Sequence, residues 1–254
     1  MTNYQGLEAS LYDHFWSQED LDDRQFFAEL IEHQGGNCLD LGCGTGRTLV
    51  PLASAGIDVE RLDPAAEMLA ICQQKLDAAG LSAPLHQGRM EELELGRKFH
   101  SIIIPGASFQ LLTDPADAAG ALGRIRQHLE PGGQLLVSLY IPWFEIVNDV
   151  AQGQWRLHKQ SVREPDGASV LCHTCTDIDR HAQLLNVWNR YEIIGADGRI
   201  AETELREMQL RYYHQNEFLL LLGSCGFDQV VPYADFQDEE PADGTAAITY
   251  RAMI

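Results

Sequence analysis

Over the first 144 residues, short apolar runs alternate with longer segments whose apolar side chains recur at helical spacing, and that alternation admits few folds. Strand, helix and strand in succession make β-α-β units, whose strands are buried on both faces of a parallel sheet. Strands are predicted at 37–41, 58–62, 85–87, 101–105 and 134–140. Leu49, Leu52 and Ala53 place a first intervening helix; Met68, Leu69, Cys72 and Leu76 a second; Ala118, Ala121, Leu122, Ile125 and Leu129 a third. Ala79-Gly80 is expected to stop the second, and Pro131-Gly132-Gly133 the third. Two more helices, at 7–16 and 20–33, precede the sheet.

From about Gln154 to Tyr213 the texture turns β-rich and polar-alternating, broken by Glu164-Pro165-Asp166-Gly167, Asp177 to His181 and Gly195-Ala196-Asp197-Gly198. That pattern predicts an antiparallel meander. A helix at 216–222, a turn through Gly226 and strands at 227–233 and 246–253 return the chain to its first architecture. The chain therefore divides into N-terminal helices at 1–35, a core at 36–144 and 214–254, and an inserted sheet at 145–213.

The sharpest motif is Leu39-Asp40-Leu41-Gly42-Cys43-Gly44-Thr45-Gly46-Arg47, an apolar strand running into three glycines spaced two apart and then a helix. Without Cβ atoms such a loop reaches positive φ and lets a ligand approach the backbone, with bare N–H groups at the helix start favouring an anionic or polar group. A dinucleotide loop wants G-x-G-x-x-G, and here Gly46 comes one residue early. Seventeen residues on, Asp63 ends the second strand, where a carboxylate accepts both hydroxyls of a ribose; ahead of Pro64 it also suits a helix cap. Arg47 reads as a solvated arginine of the first helical turn and is left outside the predicted site.

With these residues the sequence resembles the class I S-adenosylmethionine-dependent methyltransferases. Asp63-Pro64-Ala65-Ala66-Glu67-Met68-Leu69 is similar to that family's D-x-S-x-x-M-L segment, Pro131-Gly132-Gly133 to its L-x-P-G-G turn, and Gly223 to Val231 to its a-G-F-x-x-v ending. Gly88-Arg89-Met90-Glu91 and the run Gly96 to Leu111 resemble its G-D-M and G-R-K-F-D-L-I-I-I-P-x-x-S-F-Q-H-L segments. Arg89 and His100 depart, standing where the family usually has Asp.

The resemblance implies a Rossmann-like seven-stranded, mostly parallel sheet with helices on both faces, plus the inserted antiparallel sheet. It also implies methyl transfer from S-adenosylmethionine, with S-adenosylhomocysteine as product, by in-line displacement onto a small-molecule acceptor. Asp40 and the backbone of Gly42, Gly44 and Gly46 would hold the methionine part, Asp63 the ribose, and Met68 would pack beneath it. The backbone of Met90 would meet the adenine edge, with Arg89 and Glu91 beside it, and Pro105 and Gly106 would lie near the sulfonium. Arg89 cannot accept from an adenine amine, because guanidinium has donors only. The inserted sheet would supply specificity and a candidate homodimer contact.

Composition narrows the partners. A formal charge of −20 on 254 residues, 45% of them apolar and 22% charged, describes a folded acidic protein that repels nucleic acid and anionic membranes. The scattered six cysteines read as reduced thiols in a cytoplasmic setting, Met1 to Trp16 carries Glu8 and Asp13 without a leader pattern, and no apolar run reaches membrane length. Cys172 and Cys175 read as ordinary strand cysteines, since positions three apart face opposite sides, so no metal is expected. Tyr4, Tyr12, Phe15 and Trp16 are either a lid over the cofactor or packing aromatics. A proton acceptor, where the acceptor atom needs one, would come from Tyr140, Trp143, His158, His173, His181, Tyr191, Tyr212, Tyr213 or His214. A nicotinamide-dependent oxidoreductase sharing the ribose-holding Asp63, and a non-catalytic regulator on a degenerate scaffold, are the rival readings.

Overall fold

The computed structural model describes residues 4–16, 23–148, 152–164 and 166–254. Pro165 and residues 20–22, on which parts of two sequence expectations fall, lie outside the described residues. Three helices open the chain, α1 (Gly6–Ser10), α2 (Tyr12–Trp16) and α3 (Asp23–Gln34). The core then runs β1 (Cys38–Leu41), α4 (Leu49–Ser54), β2 (Val59–Asp63), α5 (Ala66–Ala78), β3 (Leu85–Gln87), β4 (Phe99–Ile104), α6 (Pro115–His128) and β5 (Leu129–Tyr140). After a short α7 (Trp143–Val147) come β6 (Arg156–Arg163), β7 (Ala168–Asp179), β8 (Leu184–Ile194) and β9 (Ile200–Arg211). The chain closes with α8 (Gln215–Ser224), β10 (Gln229–Ala234) and β11 (Ala247–Met253).

The large sheet has the order β10-β11-β5-β4-β1-β2-β3, in which β11 alone runs against its neighbours. Alternation along its central strands divides the core between two faces. Leu39, Ile102, Ile104, Leu135 and Val137 pack with Leu122 and Ile125 of α6 and Phe218 of α8, while Cys38, Ile103 and Leu136 pack with Phe27, Leu49, Leu69 and Cys72 of α3, α4 and α5. Helix starts follow local chemistry: the Asp114 carboxylate accepts from the N–H of Ala116 at 2.8 Å, and Pro115 occupies the first turn, where its missing N–H costs nothing.

Three boundaries differ from expectation. Leu129 ends no helix; it begins β5 by pairing with Phe99, and the Pro131-Gly132-Gly133 segment is a bulge before Gln134 pairs with Ser101. Segment 7–16 is two helices rather than one. The break at Leu11 lets Leu11 and Phe15 bury against the inserted sheet while Ala9 packs on Ala65 and Met68. Helix α7 was not foreseen.

The smaller sheet is the expected meander, β6-β7-β8-β9, antiparallel throughout. Burial alternates along β8 without exception. Its covered face carries Val170, Cys172, Thr174 and Thr176 from β7, with Leu185, Val187, Asn189 and Tyr191 from β8. All six cysteines are free thiols, and no cluster of metal-ligating side chains exists among the described residues. Nor is any described helix long and apolar enough to cross a membrane.

Candidate active site

A cavity of about 660 Å³ opens at the carboxyl ends of β1, β2, β4 and β5 and is roofed by α2 and the covered face of the small sheet. A shallower hollow of about 860 Å³ lies at the opposite end of the strands, around Gly36, Asp58, Arg97 and His100. The former is the candidate site, because ligands of open α/β sheets bind beyond the strands' carboxyl ends, where loops and helix starts converge.

At the floor, β1 delivers Asp40, 1% exposed, with both carboxylate oxygens lacking a hydrogen-bond partner in the protein. Burial pushes its pKa well up. An ionisable group left this way costs stability unless a ligand donor meets it. The glycine loop beyond it has φ of +72°, +53° and +80° at Gly42, Gly44 and Gly46, angles a side chain would strain. A Cβ on Gly42 would stand 2.8 Å from Cβ of Ser108, and one on Gly46 2.6 Å from Sγ of Cys72. Gly42 and Gly44 line the cavity; Gly46 does not, and its missing side chain makes room for α5.

The loop's amides are not bare. The N–H of Gly42 donates to Leu62 O at 2.8 Å, that of Gly44 to Oδ2 of Asp63 at 2.9 Å, and that of Gly46 to Cys43 O at 2.9 Å. The first two bonds tie the β1 loop to the β2 tip and the third closes the loop on itself, so the loop offers a ligand space more than donors. Oδ1 of Asp63 also accepts from Ala65 N at 2.8 Å, making Asp63 a cap as well as a cavity wall. Burial raises its pKa and the two backbone bonds oppose that rise.

Met68, Arg89, Met90, Glu91, Pro105 and Gly106 all reach the same cavity. Arg89 lies against Glu91, Nε to Oε1 at 2.7 Å. Of the nine candidate proton acceptors only Tyr140, His158 and Tyr191 line it. His173 faces away, 3.0 Å from Glu192; Trp143 donates to Thr245 O; Tyr213 is buried in the core against Phe109; His214 caps α8. For His173 the outcome follows from pleating, since only one side of each inserted strand faces the core.

Sequence reasoning missed the polar wall of the upper chamber. Glu145 of α7, 5% exposed, pairs with Arg156 of β6 at 2.6 Å. Thr174 donates to Asn189 at 2.6 Å, and the hydroxyl of Thr176 is buried without a partner. No local motif marks these residues; alternation alone assigned their face. Partial burial, then the charge of Arg156, lowers the His158 pKa and favours the neutral ring. Arg47 was missed too: it lines the cavity, held by two bonds to the buried Asp23, at 2.5 and 2.6 Å.

Tyr4, Tyr12 and Trp16 close the cavity from the N-terminal side. Helix α2 is fastened to the glycine loop by Thr45 Oγ1 donating to Asp13 at 2.7 Å, and to α5 by the Lys75–Asp13 ion pair. Trp16 packs beside His158 with ring centroids 5.8 Å apart.

Residues 38–133 match the family model described as a methyltransferase domain. The chain is 27% identical over 257 residues to a putative methyltransferase, YqeM, of Bacillus subtilis (strain 168), across 98% of this chain and 96% of that protein. It is 32% identical over 148 residues to a dTDP-3-amino-3,6-dideoxy-alpha-D-glucopyranose N,N-dimethyltransferase of Streptomyces fradiae, across 56% and 55% of the two chains. The fold is similar to that of a S-adenosylmethionine-dependent methyltransferase from Clostridium acetobutylicum ATCC 824, with TM-score 0.80, 19% identity and 97% coverage of both chains.

Proposed function

We propose, from the premise that this chain is a class I S-adenosylmethionine-dependent methyltransferase, that the lower cavity holds the cofactor and the upper chamber a polar small-molecule acceptor. The observation that carries this reading is Asp40: a buried carboxylate with two unpartnered oxygens beside a glycine-rich loop suits the ammonium end of an aminoacyl nucleoside. Asp63, at the adjacent strand tip, is positioned to accept from ribose hydroxyls with its remaining lone pairs. Met68 and Tyr4 pack near it, and residues 89–91 meet the base.

The cofactor, when bound, supplies an electrophilic methyl group. The chain's own contribution is alignment and exclusion of water, achieved by Tyr12 and Trp16 above and by the apolar Leu111, Leu185 and Val187 around the chamber. Thr174, Thr176, Asn189 and the Glu145–Arg156 pair orient the acceptor through its polar groups. His158, held neutral, receives at a ring nitrogen the proton that an amine or hydroxyl must shed. The similarity to an amino-sugar N,N-dimethyltransferase supports an amine as the acceptor atom.

Calorimetric titration with S-adenosylhomocysteine is expected to give saturable heat, and Asp63→Ala to weaken binding roughly 10- to 100-fold, the worth of hydrogen bonds to a charged group. No heat at millimolar ligand would remove the reading. Two copies pairing through the outer row Leu157, His173, Arg190 and Leu205 belongs to the same proposal, with sedimentation as its check.

A further inference from the structure

Two thiols meet beneath the glycine loop. Cys43, inside that loop, is 7% exposed and lines the cavity, whereas Cys72, midway along α5, is fully buried behind it. Gly46 is their meeting point: its N–H donates to Cys43 O at 2.9 Å, and a Cβ added to it would stand 2.6 Å from Sγ of Cys72. Both cysteines belong to the apolar cluster of Leu49 and Leu69, and their thiols interact side chain to side chain.

A charged group reaches the inner sulfur. Arg61 of β2, itself wholly buried, directs Nη1 at Sγ of Cys72 at 3.6 Å. The bond between the thiols pulls the Cys72 pKa down, with help from Arg61 and Lys75 against burial, while the same bond and burial push that of Cys43 up. When the pair loses its first proton, the charge therefore settles on Cys72. A thiol beside a thiolate has a base at hand, and a second sulfur in contact can resolve what the first becomes on oxidation.

We propose that Cys43 and Cys72 are an oxidation site for hydrogen peroxide or another small hydroperoxide entering by the cavity, and that their disulfide distorts the glycine loop and weakens ligand binding. Cys72 takes the Cys43 proton, the Cys43 sulfur attacks a peroxide oxygen, and the O–O bond breaks with release of hydroxide. Cys72 then attacks the sulfenic sulfur, the S–O bond breaks, and the Cys72 proton leaves with the departing hydroxide as water. The two sulfurs lose two electrons in all, and the peroxide gains them. Cys43 sits between Gly42 and Gly44, whose φ values are +72° and +53°, and its N–H donates to Leu62 O at 3.3 Å, so drawing it toward α5 moves the cavity floor. The weakening rests on the cofactor reading above; formation of the bond does not.

The test treats the reduced full chain with hydrogen peroxide, blocks remaining thiols by alkylation and maps peptides by mass spectrometry. A Cys43–Cys72 cross-link is expected, removed by dithiothreitol, absent from Cys43→Ser and Cys72→Ser, and slowed by S-adenosylhomocysteine added beforehand. Calorimetry with S-adenosylhomocysteine is expected to show the oxidised protein binding at least about tenfold more weakly. Dithiothreitol should restore the affinity, which separates the disulfide from oxidised Met68 or Met90 in the cavity wall, since a sulfoxide survives that reagent. Cys72→Ser should bind like reduced wild type and keep its affinity after peroxide, with thermal unfolding as the check that it folds.

If peroxide leaves Cys43 and Cys72 unlinked, the oxidation site is overturned. A cross-link that leaves the affinity unchanged overturns its effect on the loop. If reduced wild type binds no S-adenosylhomocysteine, the cofactor reading fails, and the peptide map alone still decides whether the two thiols close.

Discussion

Two buried carboxyls show how far a single residue's surroundings govern what it does. Asp40 stands at the cavity floor with both oxygens unpartnered, whereas Glu8 of α1, 1% exposed, is enclosed by protein. One oxygen of Glu8 faces the hydroxyl of Tyr191 at 3.4 Å and the other has no partner. Burial raises its pKa to about 7; Arg206 and the Tyr191 bond pull it down, and Glu204 pushes it up, without reversing the effect. The folded state therefore holds a proton that the unfolded state, at its ordinary value of 4.5, has released. Stability is unaffected by Glu8 below about pH 4.5, falls as pH rises toward 7, and is lowered throughout above that. A shift of this size corresponds to about 3 kcal/mol. Glu8→Gln should flatten that slope and raise the denaturation midpoint at pH 8 more than at pH 5, measured by urea unfolding at the two pH values. Equal gains at both would mean the carboxyl is ionised in the folded protein.

At the scale of elements, the N-terminal helices are the parts whose position matters most and whose pattern says least. Helix α2 has five residues, too short to be stable alone, so its place is set by what it touches. Asp13 is its fastening to both the glycine loop and α5. Replacing it by Ala removes a hydrogen bond and an ion pair from the roof while leaving the floor intact. The expected result is a dissociation rate for S-adenosylhomocysteine about fivefold faster by stopped flow, with association little changed. An unchanged dissociation rate would mean that α2 does not gate the ligand. The core elements were far more legible. Strands β1, β2 and β3 and helix α5 lie within a residue or two of expectation, because each carries its own apolar period and its own stop. The start of β5 was misplaced because Pro131-Gly132-Gly133 signals a turn locally, while the pairing of Leu129 with Phe99 is made by a strand far away in sequence.

For the whole molecule, the question is whether the inserted sheet and the core behave as one unit. Their shared cavity, the bond from Gln110 of the core to Arg211 O at 3.0 Å, and the 2.6 Å bond from Leu7 N to Glu204 tie the parts together. A saturating ligand should then raise the temperature of a single unfolding transition. At a ligand concentration 100 times Kd the stabilisation is about 2.7 kcal/mol, which for a chain of this size moves Tm by roughly 5–10 °C. Two transitions in scanning calorimetry, only one of them shifting, would show that the sheets unfold separately.

The amino-acid sequence by itself determined the alternation of the core, the three-glycine turn, the placing of Asp63 at a strand end and the antiparallel character of 156–211. Each of these depends on periodicity or backbone freedom within a few neighbouring residues. Tertiary structure alone decided which distant side chains share the cavity. It brought Tyr4 and Tyr12 to Met68, set His158 beside Trp16, turned His173 outward and buried Glu8 against Tyr191, 183 positions along the chain. Such meetings depend on how one sheet packs over another, and strand alternation specifies two faces without saying which of them will be covered.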